Sequence, residues 1–594
     1  MEPVLALEHL ASRGGAIGRR TVAITAAASA IGVAAAAIAV VLVACLALVT
    51  NLAFYGEWSL APASPAGNQL GGWVVVVPVA GALLVGLMAR YGTKAIRGHG
   101  IPEAMEQVLF NESRIPARVL FMKPLSAVVS IGTGGPFGAE GPIIATGGAL
   151  GSLVGQFVKI TADERKILLA SGAAAGMSAT FGSPVAAVLL AVELLLFEYR
   201  ASSLIPVAFA ASAAAAVRIA VVGTAPAFSV GVLAQPAASA IVAYVAVGAV
   251  IGVLAVIVTK AVYAVEDAFA RLPIHWMWWP ALGAVVVGVI GYFAPRTMGV
   301  GYDNIEGMVS GGLTGTALYT LCALKLVSWL FSLGSGTSGG TLAPLFTVGG
   351  GAGAAVASLL ALAAPGAGID PRLGALVGMA AMFAGASRAP LASVVFAFET
   401  TRQAVGLLPL LGGCCAAYLI ACVMAKHSIM TEKIARQGRP VPTEYTADFL
   451  TQVLVRDIGC KPVTTLPAEQ TVAEARRWLA ESGAAQHHNG FPVVAGDALI
   501  GVVTRRELFA SSRDPLDPIA RVVSRPPVVI GPEASARAAA DLMLRESVGR
   551  LPVVAGGRLV GVVTRSDLLQ AHSRRLASEH HVRRVRKIGP RRAT

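Results

Sequence analysis

The chain is short of charge and of paired cysteines. Asp, Glu, Lys and Arg make up 13% of its 594 residues, where a soluble domain carries about 25%. An ordinary soluble protein is thereby excluded. The six cysteines (Cys45, Cys322, Cys414, Cys415, Cys422 and Cys460) form no CxxC pair, which argues against a disulfide framework or a zinc site. Five lie inside apolar segments and read as packing residues. No nucleophile–base set and no metal-ligand cluster is found, so an enzyme is not expected, and neither is a bound metal. What is abundant is apolar surface: 55% of residues are hydrophobic and the mean hydropathy is +0.70, far too apolar for disorder. Charge concentrates near the ends and beyond about residue 430. The pattern is a mainly α, polytopic membrane domain followed by a soluble one.

The net charge is +14. Membrane proteins leave Lys and Arg in cytoplasmic loops and tails, and that reading is preferred to nucleic-acid binding. Residues 573–594 hold Arg574, Arg575, Arg583, Arg584, Arg586, Lys587, Arg591 and Arg592 against the single acid Glu579, a tail suited to anionic lipid. Thr21 to Phe54 is uncharged, follows Arg13, Arg19 and Arg20, and is too long for a signal peptide. It predicts a first membrane helix with its N-terminus in the cytoplasm. Leu70 to Met88, Ile219 to Thr259 and Ala404 to Ala425 are further uncharged runs long enough to span. Pro124 to Ala139, Gly141 to Val158, Pro184 to Val192 and Gly340 to Pro344 are shorter and interrupted by Gly and Pro. Irregular backbone at membrane depth requires a protein-lined or water-lined setting.

The chain repeats itself. Residues 172–193 read GAAAGMSATFGSPVAAVLLAVE and residues 378–399 read GMAAMFAGASRAPLASVVFAFE, with Pro184 and Glu193 each 206 residues from Pro390 and Glu399. Upstream, GPIIATGGALG at 141–151 matches APLFTVGGGAG at 343–353. Paired halves with broken helices at corresponding places point to a transporter whose site lies between the repeats.

Three breaks carry chemistry: Gly98-His99-Gly100-Ile101-Pro102-Glu103, Gly138-Ala139-Glu140-Gly141-Pro142 and Gly339-Gly340-Thr341-Leu342-Ala343-Pro344. Each places Pro at a helix start, where its missing N–H costs nothing. Each offers backbone N–H groups and a positive dipole end to an anion. Partial charges permit release of a fluoride, chloride or nitrate ion, where full charges would retain it.

These motifs, with SPVAAVLLAVE and LKLVSWLFSLGSGTSGG, resemble the CLC family of chloride channels and chloride/proton antiporters over about residues 21–440. The resemblance implies a homodimer with a pore in each subunit, built from two inverted repeats of broken, tilted helices. It implies that Glu140 is the gating glutamate, whose carboxylate competes with anions and whose protonation releases the site. It makes Thr341 and Leu342 backbone ligands of the central anion, with Gly100, Ile101 and Gly141 at the neighbouring helix ends. Three positions depart from the family. His99 stands where a serine often coordinates the anion; imidazole still donates. Met430 replaces a pore-lining tyrosine and has no donor. Leu194 stands where characterised antiporters often place an inner proton-carrying glutamate, and the neighbouring Glu193, like Glu399, is read as structural.

Beyond Gly438, GRPVPTEYTAD reads as a linker. FPVVAGDALIGVVTRREL at 491–508 and LPVVAGGRLVGVVTRSDL at 551–568 lie 60 residues apart. Each contains strand, turn, strand and helix start, preceded by helical patterns at Val472 to Glu481 and Ala534 to Arg545. They resemble a cytoplasmic α/β tandem pair of CBS domains. Such pairs often bind adenine nucleotide (ATP, ADP or AMP) through GxxTxxD, kept here as Gly561, Thr564 and Asp567 and altered as Gly501, Thr504 and Glu507. The alternative is a purely structural pair. His487 and His488 read as solvated.

The expected organisation is an N-terminal segment 1–20, a transport domain 21–440, a linker 441–452, CBS domains 453–512 and 518–572, and a basic tail 573–594. The expected function is transport of chloride or a similar small anion across the cell (inner) membrane, with chloride and protons as substrates and no required cofactor. The CBS domains and the tail are expected in the cytoplasm. The Ala/Gly-rich composition and short N-terminus favour proton exchange over a passive channel; Leu194 and Met430 weigh the other way. A CBS-linked cation transporter would need converging carboxylates in the membrane, which the breaks do not supply.

Overall fold

The computed structural model describes residues 18–439, 450, 453–459, 463–481 and 488–571. The first 17 residues, most of the linker, Cys460, His487 and the basic tail lie outside the described residues. The chain divides into two compact units, with the division at residues 445 and 446.

In the first unit, eight helices among the described residues are long and apolar enough to cross a membrane: Arg19–Tyr55, Gly71–Tyr91, Ala201–Val222, Ala238–Ala270, Trp276–Phe293, Gly315–Gly334, Leu342–Ala363 and Ala404–Met424. A bilayer core of about 30 Å needs roughly 20 helical residues, so each suffices. Large apolar side chains such as Val41, Val242, Val289 and Leu419 stay exposed on these helices. This is the surface of a multi-pass membrane protein. Arg19 and Arg20 open the first helix rather than preceding it.

Two readings of the apolar runs are corrected. Ile219 to Thr259 is not one span: a helix ends at Val222, residues 223–237 are irregular, and another begins at Ala238. The segment is uncharged, yet Gly223, Pro226 and Pro236 break the helical path. Conversely, Pro124 lies inside helix Ala117–Gly132, and the break falls after it.

The interior is made of shorter helices that approach through glycine. A Cβ on Gly172 would overlap the Gly147 carbonyl, and the two helices Glu140–Phe157 and Ala162–Phe181 close on each other there. Gly349 and Gly378 do the same for helices Leu342–Ala363 and Pro371–Ser387. Small residues substitute for the hydrophobic driving force that helix pairs lack in lipid.

The repeats lock together by exchanging carboxylates. Glu193, near the end of the first copy, accepts from the N–H groups of Leu391 (3.2 Å) and Ala392 (3.0 Å), at the start of helix Pro390–Thr401. Glu399, near the end of that helix, accepts from Val185 (3.2 Å) and Ala186 (2.8 Å), at the start of helix Pro184–Ala191. Each carboxylate caps the other copy's positive helix end, so the two helices run antiparallel and the repeats are inverted.

The second unit contains two copies of one motif. Strand Gly490–Ala495 pairs antiparallel with Ala498–Thr504, and Arg550–Ala555 with Arg558–Thr564, each with its irregularity between equivalent valines, Val493/Val494 and Val553/Val554. Leu466–Pro467 adds a parallel strand to the first pair; Ile530 bridges Val553 in the second. Helices Val472–Glu481 and Ala536–Arg545 cover these sheets. The short helix Val455–Gly459, expected with the first copy, packs Val455 and Ile458 into the core of the second, and Val455 N–H donates to Ala534 O at 2.8 Å.

The carboxylate exchange makes a symmetrical prediction. Glu193→Gln and Glu399→Gln each weaken two charge-assisted bonds, at about 1–3 kcal/mol. Thermal unfolding of the purified protein should show similar losses for both; loss for one alone would contradict the reciprocal role.

Candidate functional site

The breaks are built from backbone that only glycine adopts easily. Gly98 and Gly100 hold φ of 93° and 95°, left-handed values that strain other residues. Helix Ile101–Phe110 begins there. The Gly100 N–H, expected to be open to an anion, instead donates to Glu103 Oε2 at 2.8 Å. The acid three residues into the helix caps its own start. Glu103 Oε1 accepts from Lys433 Nζ at 2.9 Å, tying the segment that carries buried Met430 to this break.

The breaks at 138–142 and 339–344 meet as a reciprocal pair. Gly138 N–H donates to Gly340 O at 3.2 Å, and Gly340 N–H to Gly138 O at 2.9 Å. From this pair start helices Glu140–Phe157 and Leu342–Ala363. Their first intrahelical bonds come from Ile143 N–H and Leu345 N–H, so the N–H groups of Gly141, Leu342 and Ala343 stand ahead of them. A Cβ on Gly141 would overlap the His99 carbonyl and stand 2.8 Å from Gly340 Cα; one on Gly100 would stand 2.6 Å from Gly141 O. His99, Gly100, Gly141 and Gly340 therefore converge, with Ile101, Thr341 and Leu342 at the same helix starts and buried. The His99 ring is buried and its Nδ1 has no protein partner.

Glu140 is fully buried at its helix start. Its carboxylate lies where a Cβ on Gly138 would overlap it, and a Cβ on Gly340 would stand 3.0 Å from Oε2. Oε1 accepts from the Tyr302 hydroxyl at 2.8 Å, while Oε2 has no partner. Leu194 is buried in a π-helical turn, Val192–Leu196, and Glu193 is occupied with its cap.

A further break, Gly299-Val300-Gly301-Tyr302-Asp303-Asn304, was not singled out from the sequence. It is the repeat equivalent of the first: Gly299 and Gly301 have φ of 65° and 77° and lie 201 residues from Gly98 and Gly100. Gly98 N–H donates to Thr337 O in the second repeat, and Gly299 N–H to Gly134 O in the first. A buried lysine pins each. Lys123 Nζ donates to Ile96 O (2.8 Å) and Gly98 O (2.7 Å); Lys325 Nζ donates to Gly299 O (2.8 Å). The signal was present as GxG at a fixed offset and as lone lysines in apolar stretches.

In the second unit, Glu507 Oε2 accepts from Thr504 N–H (2.7 Å) and hydroxyl (2.6 Å), and Asp567 Oδ2 from Thr564 N–H (2.9 Å) and hydroxyl (2.6 Å). The longer acid of the first copy keeps the same cap. A pocket of about 450 Å³ holds His488, Arg550, Thr564 and Asp567 on its wall, and one of about 160 Å³ holds Thr504, Glu507, Arg525 and Arg550. Burial pulls the Arg550 guanidinium below its ordinary pKa yet leaves it cationic. His488 is exposed.

This architecture matches known proteins. The family model for voltage gated chloride channels matches residues 80–422, and that for the CBS domain matches 455–514 and 519–574. An H(+)/Cl(-) exchange transporter ClcA of Vibrio parahaemolyticus is 29% identical over 63% of this chain and 82% of its own. A chloride channel protein CLC-f of Arabidopsis thaliana is 27% identical over 84% of this chain and 72% of its own. Among solved structures, a slow cyanobacterial Cl-/H+ antiporter superposes with a TM-score of 0.63 at 23% identity, covering 71% of this chain and 98% of that one. A eukaryotic CLC transporter does so at 0.58 and 20% identity, covering 92% of this chain and 97% of that one. With its inverted repeats, converging helix starts and paired C-terminal motifs, the chain belongs to the voltage gated chloride channel (CLC) family and carries two CBS domains.

Proposed function

We propose that this protein exchanges chloride for protons through a pathway that passes the converging helix starts, with Glu140 as its gate. The observation that carries the reading is the Glu140 carboxylate itself. It is fully buried and held between Gly138 and Gly340 with one oxygen unpartnered, and when ionised it is an anion. A chloride has the same charge and would accept from the same helix ends. The N–H groups of Ile101, Gly141, Thr341 and Leu342 are the assigned anion donors, assisted by His99, with Met430 lining the route. Gly100 contributes its conformation, since Glu103 takes its N–H. The chain is assigned as a homodimer in the cell membrane with its CBS pair in the cytoplasm.

Proton exchange needs an acceptor on each side of the barrier. Glu140 serves one side. On the other, Leu194 is aliphatic and Glu193 caps a helix, so protons would cross on water, because a bare charge in an apolar stretch is costly. That same pair of residues favours a second reading, a passive chloride channel. Simultaneous chloride and pH recording in liposomes separates the two. A chloride gradient should drive protons uphill; chloride flow without proton movement would establish the channel. In the latter case Leu194→Glu should create coupling.

The gate has its own test. Glu140→Gln mimics the protonated acid, so its anion flux should lose most of its pH dependence. A wild-type pH profile in that variant would remove Glu140 from the role.

For the CBS pair, the pockets at Thr504/Glu507 and Thr564/Asp567, with Arg550 beside both, support regulation by an adenine nucleotide. Calorimetry on the full-length protein should detect ATP, ADP or AMP binding, weakened about tenfold or more by Asp567→Ala, the loss of one charge-assisted hydrogen bond. Absence of heat with all three would establish a purely structural pair.

A further inference from the structure

Among the polar contacts at which the two repeats differ, one touches the gate. Gly138 and Gly340 are repeat equivalents, so Leu342 stands in the second repeat where Glu140 stands in the first. Likewise Tyr302 is the equivalent of Ile101. The symmetry-related counterpart of the Glu140–Tyr302 pair is therefore an apolar pair, Leu342 and Ile101, both buried. The Glu140–Tyr302 pair itself is an acid and a hydroxyl joined by a 2.8 Å hydrogen bond.

Tyr302 is held so that its hydroxyl has little choice of direction. Its ring packs edge-on against Phe181 and Phe228, with centroids 5.6 and 6.1 Å apart. The backbone that carries it is fixed at Gly299 by Lys325 and by the bond to Gly134 O. The neighbouring Asn304, unlike Glu103 in the first break, does not close the helix start; its amide donates to Arg296 O at 2.8 Å. Tyr302 also lines a pocket of about 340 Å³ together with Pro62, Pro65 and Asp303, on the side of the loop that follows the first helix. Tyr302 thus touches both that pocket and the Glu140 carboxylate.

We propose that the Tyr302 hydroxyl is a latch that holds the Glu140 carboxylate in the anion pathway, making Tyr302 a positioning residue of the gate. A rigid aromatic donor costs little entropy to place, and a hydrogen bond to an ionised acceptor is among the strong ones. Glu140 would then leave the pathway only by breaking this bond. The carboxylate competes with chloride less well once the bond is gone. This inference rests on the reading that Glu140 is the gate.

The test is a double-mutant cycle on chloride efflux from liposomes, at fixed pH, with the full-length protein. Tyr302→Phe removes only the hydroxyl and retains the ring against Phe181 and Phe228. Its chloride flux should rise, by up to about tenfold if the whole bond is lost. In a Glu140→Ala background, Tyr302→Phe should change nothing, since the latch has nothing to hold. Unchanged flux in Tyr302→Phe alone would overturn the latch. So would an equal change in both backgrounds, which would mean that the hydroxyl acts on the ion directly. Wild-type flux in Glu140→Ala alone would instead sink the gate reading, a separate outcome read from the same four proteins.

Discussion

Everything at the centre of this molecule depends on two backbone hydrogen bonds, those exchanged between Gly138 and Gly340. They bring the starts of two helices tip to tip. Each start carries roughly half a positive charge and several N–H groups without intrahelical partners. Two such ends facing each other in a medium of low polarity repel unless something negative lies between them. The Glu140 carboxylate lies there in this structure, in space that exists because residues 138 and 340 have no side chain. A buried carboxylate and a dehydrated chloride would solve the same electrostatic problem, and on the proposed reading they compete for one place.

The surrounding polar groups keep that centre rigid. Carboxylates and lysines that would be costly alone in an apolar interior are each spent on loose backbone ends. Glu193 and Glu399 cap the opposite repeat, Glu103 caps its own helix, and Lys123 and Lys325 collect the carbonyls of the GxG turns. Glu140 is different, since one of its two oxygens is left without a partner. A group bound on one side only is the one that can move.

Much of this was legible in the sequence because backbone constraints leave residue-type traces. Gly and Pro mark the three breaks at 98–103, 138–142 and 339–344, and the fixed offset between the two Pro…Glu segments foretold two related halves. The strand–turn–strand repeats at 490–504 and 550–564 were equally plain. What escaped left a weaker trace or none. The break at 299–304 has the GxG of the first break but no Pro, so Tyr302 did not stand out. The absence of charge over Ile219 to Thr259 says nothing about a loop that is itself apolar. The commitment of the Gly100 N–H to Glu103, and of Val455 to the second CBS core, depend on how a side chain turns once the chain has folded. Proton coupling is the extreme case: Leu194 is visible in the sequence, but a path for water past it is a property of cavities.

The most direct test replaces chloride with bromide and locates it by anomalous scattering in crystals of the wild type and of Glu140→Gln. The expected result is a bromide peak ahead of the Gly141 and Leu342 N–H groups in Glu140→Gln, at the place the carboxylate holds in the wild type, and no peak there in the wild type itself. Bromide at that place in both proteins, or in neither, would contradict the view that the Glu140 carboxylate and the transported anion compete for one site.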